Sequence, residues 1–580
     1  MATLSDTRRA RPSVNPLHYL SGRSLIFGLM FIVLGVVLVL LLVAVRMSFM
    51  DSMTKEFTWA NYTDLYGDSF VFTALKNTLG FSAVAIFVSL LFATPIAFFA
   101  ERTTLPGRGL IFPMMLITTL IPGFFGAMGW LLMFHPRIGM MNKWAIQLIP
   151  GIDGPIFNVV SVVGMGIITG LGLTSLAFIM MAGSFRAMDP ALEESAQIHG
   201  MGLMRRLRRI SFPLVWPGIL AAGLYVATIA LASFDVPAFI GLSNRIFTFS
   251  TMMFLMANPE VDAPRFGIIG ASSVAMIFIA LFLSWWYFSV IRRSHRYTVV
   301  TGKNYRPKLI RLNKRWIALG WSIVSVKILF SFAIPLLMLV WASLLPFFEP
   351  ISAEAIGKVT LDNYRLIPWS VLGGPLKNTL ILTFTVPTVL VIIGLAISWI
   401  VVRSKAPGVW AVDTVAFLPH AVPNLIFATS MLYVGLFWIP NWIPFHGTIW
   451  ILVAVFVIAR VSFPTRVYNA ALLQIHKELD EAGYIFGLGT IRVLWRVTTP
   501  LLMPTILYSW IWMALLAYRE LTLAAFLSSS ENVTLPMYIF SIFNSDRPVA
   551  AALSVVLLVV MLPLIVSYFI WTRRRGQLAT

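Results

Sequence analysis

Long apolar stretches recur along the whole chain, and they restrict its possible folds more than any other feature. A helix needs about 20 apolar residues to cross roughly 30 Å of hydrocarbon. Hydrophobic residues make up 59% of the chain and charged residues 11%, so the sequence predicts an all-α polytopic membrane protein with about 12 transmembrane helices. The predicted spans are 25–49, 78–100, 109–134, 158–183, 214–240, 267–291, 316–345, 378–402, 410–436, 449–467, 504–528 and 549–572.

The net charge of +20 follows the predicted topology, so it does not indicate nucleic-acid binding. If the N-terminus is cytoplasmic, the inside segments hold 30 of the 43 Lys and Arg residues, as the positive-inside rule predicts. Both termini are then cytoplasmic, and the inside segment 459–500 supplies five of these residues. The first apolar run is too long for a cleaved signal peptide and predicts a retained span. Cysteine is absent, which excludes disulfides and thiolate metal sites.

The twelve predicted spans fall into two halves that match each other in sequence. The pattern Leu-Lys-Asn-Thr-Leu at 75–79 recurs at 376–380, an offset of 301, and Arg102 matches Arg403 at the same offset. Farther along, the offset falls to 287, so the first half carries 14 extra residues, which we place near 135–157. Because each half has an even number of spans, the repeat is parallel, with its axis along the membrane normal.

A polar interruption occurs once in each half. The stretch "EESAQIHGMGLMRRLRRISFPLVWP" at 193–217 is echoed by "DEAGYIFGLGTIRVLWRVTTPLLMP" at 480–504. An acid, a glycine and two prolines keep identical spacing in both copies, whereas an ordinary basic loop needs positive charge but no such spacing. Acids near the start and a glycine at the end predict a short amphipathic helix, at 190–199 and at about 477–486.

At these residues the chain resembles the permease family of ATP-binding-cassette importers, whose cytoplasmic loop carries an EAA pattern followed by Gly and then Pro. The matching residues are Glu194, Ser195, Ala196 and Gly200 in the first half and Glu481, Ala482, Gly483 and Gly487 in the second. Ser195 and Gly483 stand where the family has alanine, but both are small. The resemblance implies that each short helix is a coupling helix in a groove of an ATPase subunit. Its Glu would meet a basic residue of that subunit, and its Gly would permit the sharp turn.

The resemblance covers nearly the whole chain and implies a type I importer fold built from two parallel six-helix repeats in a bacterial inner membrane. The implied organisation is a cytoplasmic N-terminal segment 1–24, a first permease domain 25–291 with coupling loop 184–212, a cytoplasmic linker 292–315, a second permease domain 316–572 with coupling loop 468–500, and a cytoplasmic tail 573–580.

The same resemblance predicts the partners of the chain. No G-x-x-x-x-G-K-[ST] stretch occurs in the sequence, so the ATPase is expected on separate chains. Two coupling helices imply two ATP-binding subunits, which would hold ATP and Mg, while this chain binds no cofactor or metal and has no catalytic residue. An extracytoplasmic substrate-binding protein is expected to dock on the outer loops. No second permease subunit is required, because both halves are fused.

Charged residues inside predicted spans are the candidates for the translocation pathway, because a charge at the bilayer centre costs about 2.5–3.5 kcal/mol. Arg519 and Glu520 lie in "LLAYRELTLAAFL", and we place Asp235 of "IALASFDVPAFIG" at the point corresponding to Glu520. Two such acids would face one central cavity and stabilise a cationic or metal substrate. The alternative is a structural role near the outer helix ends. Lys327 is expected to snorkel or to pair at a helix interface, and it receives no functional role.

Two other classes of protein are the alternatives. A proton-coupled carrier of the major facilitator type also has two parallel six-span halves, but the stretch after span two is "ERTTLPGRG" and lacks the expected G-x-x-x-D-R-x-G-R-R-like pattern. A membrane-embedded enzyme would need clustered carboxylates or histidines, and the seven histidines show no ligand spacing. Fused double permeases resemble systems for ferric iron, and their relatives serve thiamine, polyamines, phosphonates or sugar phosphates. The stretch "RELTLAAFL" is similar to one common among the iron-type members, which favours ferric iron.

Overall fold

The structure is a computed structural model, and it describes residues 16–151, 153–186, 188, 193, 195–196, 198–258, 264–294, 309–404, 408–439, 442–443 and 445–574. Within these ranges the chain is helical and has no β-strand, only two isolated β-bridges.

The first half contains eleven α-helices in its described ranges. They are α1 (Pro16–Ser48), α2 (Ala60–Gly67), α3 (Ser69–Arg102), α4 (Ile111–Leu120), α5 (Gly123–Phe134), α6 (Met140–Leu148), α7 (Val162–Arg186), α8 (Leu203–Arg206), α9 (Phe212–Leu231), α10 (Phe249–Ala257) and α11 (Phe266–Ser294). Short π-helical turns lie at Leu207–Ser211 and Pro237–Gly241, and 3-10 turns at Arg108–Leu110 and Leu242–Asn244.

The second half repeats this order. Its helices are α12 (Lys314–Ile328), α13 (Ile334–Ser343), α14 (Ala353–Gly357), α15 (Asp362–Arg365), α16 (Trp369–Arg403), α17 (Val409–Ala421), α18 (Asn424–Phe437), α19 (Ile449–Arg460), α20 (Ser462–Leu473), α21 (Glu478–Ile485), α22 (Thr490–Val493), α23 (Thr499–Tyr518), α24 (Thr522–Leu527), α25 (Leu535–Ile542) and α26 (Arg547–Arg574). π-helical turns lie at Leu329–Ala333 and Leu494–Thr498.

The helices of the described ranges confirm the number of predicted spans, and they include one further pair of bent helices. Nine helices are long and apolar enough to cross a membrane, and four pairs of bent helices pass the same test together. Three of these pairs coincide with the predicted spans 109–134, 410–436 and 449–467, so nine and three give the predicted twelve. The fourth pair, Pro237–Asn244 with Phe249–Ala257, bends by 71° and was not predicted, because each piece is too short to fill a 20-residue apolar window.

A proline breaks the third span of each half at the same place. α4 and α5 meet at 89° before Pro122, and α17 and α18 meet at 99° before Pro423, 301 positions later. Proline lacks the N–H that a helix needs and forces the preceding residue into extended backbone, as Ile121 shows with φ −77° and ψ 136°. Each break leaves backbone carbonyls at membrane depth that need partners.

One prediction about topology is wrong at its boundary. α19 and α20 together run from Ile449 to Leu473 with a bend of 46°, and these bounds equal those of α7 at the offset of 287. Arg460 and Arg466 therefore lie within the helix pair, in agreement with the predicted span 449–467, and the predicted inside segment 459–500 begins too early. The predicted span 449–467 includes both arginines, and the helix pair continues six residues past its end.

The chain divides into two compact units. The larger unit comprises Leu40–Thr383, Ala421–Val455 and Leu515–Thr580, and the smaller comprises Met1–Val39, Phe384–His420 and Phe456–Ala514.

Within the larger unit, α13 of the second half packs against α5 of the first half. Trp130 donates a hydrogen bond from its indole nitrogen to the carbonyl of Phe330, 2.9 Å away. A Cβ at Gly129 would lie 2.3 Å from the Cα of Pro335, so the two backbones meet there without room for a side chain. The seventh span therefore completes the packing of the first half.

The sequence repeat also extends upstream of the Leu-Lys-Asn-Thr-Leu pattern. The side-chain amide of Asn61 donates to the carbonyls of Ser48 and Met50, and that of Asn363 donates to those of Ser343 and Leu345. In both halves the tyrosine that follows the asparagine lies 2.8 Å from the hydroxyl of the same serine. These paired turns close the ends of the first and seventh spans in the same way.

Candidate coupling loops and translocation pathway

Both predicted glycine turns adopt a backbone conformation that favours glycine. Gly200 has φ +74° and Gly487 has φ +79°. The amide of Met201 donates to the carbonyl of Ala196 at 3.0 Å, and the amide of Leu488 donates to that of Gly483 at 3.1 Å. These are Schellman C-caps, which end a helix and satisfy its last carbonyls. A Cβ at either glycine would meet no atom within 4 Å, so the backbone angle requires glycine, and space does not.

The short helices lie where the sequence predicts them. α21 spans Glu478–Ile485, and in the first loop the described residues Glu193, Ser195, Ala196 and Ile198 are helical. Glu194 lies outside the described residues.

The other predicted residues of these loops divide into an exposed and a buried group. Ser195 and Glu481 are exposed and Ala482 is half-buried, whereas Ala196 and Gly483 are buried. A Cβ at Gly483 would lie 3.0 Å from Val493 Cγ2, so only a small residue fits there.

The first loop is held to its own half by a buried ion pair that the sequence analysis did not select. Arg102, at the end of α3, lies 2.5 Å from a carboxylate oxygen of Glu193. The other oxygen of Glu193 accepts a hydrogen bond from the hydroxyl of Ser211 at 2.6 Å. Arg102 also donates to the carbonyl of Met188 at 3.2 Å. The two charged side chains are only 1% and 4% exposed, so a buried ion pair holds the loop against the end of α3.

The second loop is held by the equivalent residues. Arg403, at the end of α16, lies 2.7 Å from a carboxylate oxygen of Asp480. The other oxygen accepts a hydrogen bond from the hydroxyl of Thr498 at 2.8 Å. Arg403 also donates to the carbonyl of Ile475 at 2.9 Å. Both charged side chains are buried here as well.

We call these two groups the anchor sets. Arg102 and Arg403 are related by the offset of 301, and the other members by the offset of 287. The first anchor set is Arg102, Met188, Glu193 and Ser211, and the second is Arg403, Ile475, Asp480 and Thr498. The offsets match these positions in the sequence, whereas the family pattern indicates the acid one position later in each half. Removing one member of a buried ion pair costs about 3–5 kcal/mol, because the other charge stays buried.

The outward face of each short helix carries large apolar side chains. Ile198 is 83% exposed, and its counterpart Ile485 is 75% exposed. Phe486, next to Ile485, is 84% exposed. Exposed apolar side chains at the tip of a charged loop are typical of a protein interface. Each loop is thus anchored on one face and apolar on the other.

The pathway candidates lie where two spans end, within the larger unit. α9 ends at Leu231 and α23 ends at Tyr518, which are equivalent at the offset of 287. Asp235 follows its helix by four residues, and Glu520 follows its helix by only two. The counterpart of Asp235 is therefore Thr522, and the predicted correspondence with Glu520 is wrong by two positions. The alignment rested on charge type, whereas the helix ends fix the true register.

Asp235 and Arg519 both lie near the break between α4 and α5. A carboxylate oxygen of Asp235 would lie 3.3 Å from a Cβ placed on Gly123, the first residue of α5. Arg519 donates to the carbonyls of Thr119 and Ile121, each 2.8 Å away. These are carbonyls at the break, so Arg519 satisfies polar groups that the interrupted helix leaves at membrane depth.

Glu520 and Lys327 each form hydrogen bonds that stabilise the fold. Glu520 is 9% exposed, and one of its oxygens accepts a hydrogen bond from the amide of Leu523 at 2.9 Å, which caps the start of α24. Lys327 is completely buried and donates to the hydroxyls of Thr118 and Ser175 at 2.5 and 2.6 Å. Lys327 therefore does not snorkel, and it joins α12 to α4 and α7.

Comparison with known proteins relates the second half of the chain to a family and the whole chain to more distant relatives. Residues 322–576 match the family "Binding-protein-dependent transport system inner membrane component". A ferric transport system permease protein of Actinobacillus pleuropneumoniae is 25% identical over 524 residues, which cover 87% of this chain and 72% of the relative. The second half of the chain thus carries the domain of a binding-protein-dependent transport permease. A putative ferric transport system permease protein of Haemophilus influenzae is 25% identical to this permease, over 81% of the chain and 72% of the relative.

Two further comparisons cover less of the permease. A putrescine transport system permease protein of Escherichia coli is 30% identical over 127 residues, which cover 21% of this chain and 44% of the relative. Among solved structures, a bacterial ABC transporter involved in the import of alginate has a TM-score of 0.35 and 16% identity, over 45% of this chain and 89% of that chain.

Proposed function

We propose that this permease forms the translocation pathway of an ATP-driven importer and that its two anchored loops each receive one ATPase subunit. The exposed Ile198 and Ile485 carry this proposal, because equivalent apolar side chains project from both loops. The buried anchor sets hold the opposite faces of the loops. Movement of the first loop would therefore be transmitted to α3, and movement of the second loop to α16, each through a buried ion pair. Glu481, which is exposed on α21, and Glu194 are the acids proposed to meet basic residues of the ATPase subunits.

The proposed complex contains two ATP-binding subunits, with ATP and Mg bound on them and not on this chain, and an extracytoplasmic substrate-binding protein. Both termini and both loops would lie on the cytoplasmic side of a bacterial inner membrane. No second permease subunit is needed, since each half supplies one loop. This arrangement rests on the family and on the matched geometry of the two loops.

Ferric iron is the proposed substrate. Relatives over most of this chain are named ferric transport permeases. Asp235 supplies an acid near the break between α4 and α5, where a cation in transit would find a negative charge. Thiamine, a polyamine, a phosphonate or a sugar phosphate are the alternatives, and a putrescine permease is among the shorter matches.

Co-purification after trapping with ATP and vanadate tests the assembly. We expect an ATPase at two copies per permease together with a substrate-binding protein. Ile198→Asp with Ile485→Asp should abolish ATPase recovery, because a charge would replace each apolar contact, while the chain still inserts. Phe347→Asp, at an exposed apolar side chain outside both loops, is the control and should keep the ATPase. A wild-type chain that purifies alone and transports on a proton gradient would contradict the proposal.

A further inference from the structure

A short hairpin follows the first span and is held in a fixed shape. The amide of Asp51 donates to the carbonyl of Glu56 at 2.9 Å. The amide of Thr58 donates to the carbonyl of Phe49 at the same distance. At the tip, the amide of Lys55 donates to the carbonyl of Asp51 at 3.2 Å, and Lys55 has φ +61°. Positive φ is uncommon for a residue with a long side chain and costs free energy, so the hydrogen bonds of the hairpin hold Lys55 in this conformation.

The ammonium group of Lys55 lies over three aromatic rings of the larger unit. Its Nζ is 4.2 Å from the ring centre of Phe437 and 5.8 Å from the ring centres of Phe266 and Tyr433. The ring centres are themselves 4.8 to 5.6 Å apart, and we call the three rings the aromatic cage. A cation within about 6 Å of a ring centre is attracted by the negative face of that ring. The aromatic cage therefore has the composition and the size of a site for one cation.

The hairpin contributes polar contacts to the same ammonium group. Nζ of Lys55 donates to the carbonyl of Ser52 at 2.7 Å, and the charge of Asp51 acts on Lys55 from within the hairpin. The hydroxyl of Ser52 accepts a hydrogen bond from the amide of Gly267 on α11 at 3.0 Å. The ammonium group thus has one acceptor in the hairpin and three rings outside it, and the hairpin itself is attached to α11.

The aromatic cage joins the two halves of the chain. Phe266 is the first residue of α11, in the first half, whereas Tyr433 and Phe437 lie at the end of α18, in the second half. A second cation of the first half lies on the same end of α18. The guanidinium of Arg46, in the last turn of α1, is 5.5 Å from the ring centre of Trp438. Two cationic side chains of the first half therefore contact aromatic rings of the second.

The matching segment of the second half surrounds its lysine with acids. Within 343–363, Nζ of Lys358 lies 3.2 Å from a carboxylate oxygen of Glu349 and 2.8 Å from one of Glu354. Such exposed ion pairs are common at protein surfaces. The repeated architecture therefore does not require aromatic rings around a lysine at this place, and the aromatic cage is specific to the hairpin of the first half.

We propose that the aromatic cage is a binding site for ammonium groups, that Lys55 is its built-in ligand, and that a free ammonium ion competes with Lys55 for it. Aromatic cages hold ammonium groups through the attraction between the cation and the ring faces. While Lys55 occupies the aromatic cage, the hairpin fastens the first half to α18. A competing ammonium ion releases the hairpin. This site is separate from the coupling loops and from Asp235, and it goes beyond the proposed function.

Trypsin cleaves after lysine, so cleavage after Lys55 measures how often the hairpin leaves the aromatic cage. The full chain in lipid nanodiscs is digested briefly, and mass spectrometry quantifies the peptides that end at Lys55 and at the exposed Lys358. We expect Phe437→Leu to raise cleavage after Lys55 roughly fivefold relative to cleavage after Lys358, because it removes a ring and keeps an apolar side chain. Phe72→Leu, at an exposed phenylalanine outside the aromatic cage, is the matched control and should leave that ratio unchanged.

Tetramethylammonium chloride then serves as the competing ion, with sodium chloride at the same concentration as control. At about 100 mM it should raise cleavage after Lys55 roughly threefold and leave cleavage after Lys358 unchanged. It should have no further effect in the chain with Phe437→Leu and Tyr433→Leu. Equal rates of cleavage after Lys55 and Lys358 in the wild-type chain would overturn the proposal. So would a cleavage ratio that responds neither to Phe437→Leu nor to tetramethylammonium.

Discussion

The hydroxyl of Thr522 donates a hydrogen bond to Asp235 across 3.3 Å, and the two residues hold the same position in the two halves of the chain. Equivalent residues of a parallel repeat touch each other only near the axis that relates the halves. Asp235 therefore lies beside that axis, where a pathway between the halves would run. Because the residue in the equivalent position is a threonine, the second half supplies a hydroxyl there and no second acid.

Neutralising Asp235 tests its proposed role in transport. Asp235→Asn keeps the shape of the side chain and removes its charge, so we expect uptake to fall at least tenfold while ATPase recovery stays normal. Thr522→Val should have a smaller effect, since it removes one hydrogen bond and no charge. Glu520→Gln is the matched control, because an amide oxygen can still accept from Leu523 and cap α24. Unchanged uptake kinetics in Asp235→Asn would assign this acid a structural role.

Neighbouring acids of α21 should behave differently, because one is exposed and the other is buried. Glu481→Gln is expected to lower transport-linked ATP hydrolysis several-fold without changing the thermal stability of the chain. Asp480→Asn should lower that stability, since it leaves Arg403 buried without its counter-charge. Glu478→Gln removes an exposed charge from the same helix and serves as control. Equal losses in all three variants would argue against a specific role for Glu481.

Substitutions at Gly200 separate a requirement for backbone angle from a requirement for space. Asparagine tolerates positive φ, whereas a β-branched residue there costs about 1–2 kcal/mol or more. Gly200→Asn should therefore retain most transport, and Gly200→Val should lose it. Gly202→Ala is the control, because that site is open and carries no positive φ. The comparison is made by uptake in intact cells, with membrane insertion checked by immunoblotting, and loss of uptake in Gly202→Ala would contradict the explanation.

The anchor sets predict a rescue experiment. Arg403→Leu should destabilise the chain by about 3–5 kcal/mol and detach the second loop, because it leaves Asp480 buried alone. Thr498→Val removes one hydrogen bond to a charged group and should cost about 1.5–3 kcal/mol. The double change Asp480→Glu with Thr498→Ser installs the pair that the first half uses naturally, and it should keep near-normal stability. Limited proteolysis of the second loop measures each effect, and equal digestion of all variants would refute the anchor.

Packing between α5 and α13 makes a further prediction. Gly129→Ala places a methyl group where the backbone of Pro335 lies, so we expect a strong loss of folded protein, by about 1–3 kcal/mol or more. Gly126→Ala, one turn earlier, would meet Ile168 Cγ2 at 3.7 Å, an ordinary contact, and should be tolerated. Fluorescence-detected size exclusion of the two variants in detergent gives the comparison. Similar elution profiles would argue against this close approach.

The sequence predicts the periodic features of this fold well. Hydropathy and the two offsets locate the twelve spans, and glycine spacing locates both Schellman turns, because each depends on local backbone chemistry. Side-chain partners depend on register between distant segments. The family pattern therefore indicates Glu194 and Glu481 rather than the anchoring acids Glu193 and Asp480 beside them, and charge type alone does not give the register of Asp235. The predicted span 449–467 and the predicted inside segment 459–500 overlap at Arg460, and the helix pair that runs to Leu473 decides in favour of the span.

The contact between Trp130 and Phe330 joins residues 200 positions apart and has a consequence for biosynthesis. While the chain is being made, α5 enters the membrane long before α12 and α13 exist to cover it. During that interval the face of α5 that α13 later covers is exposed to lipid or to a chaperone. Synthesis of the seventh span closes it, so the order of translation makes the first half a template on which the second begins to assemble.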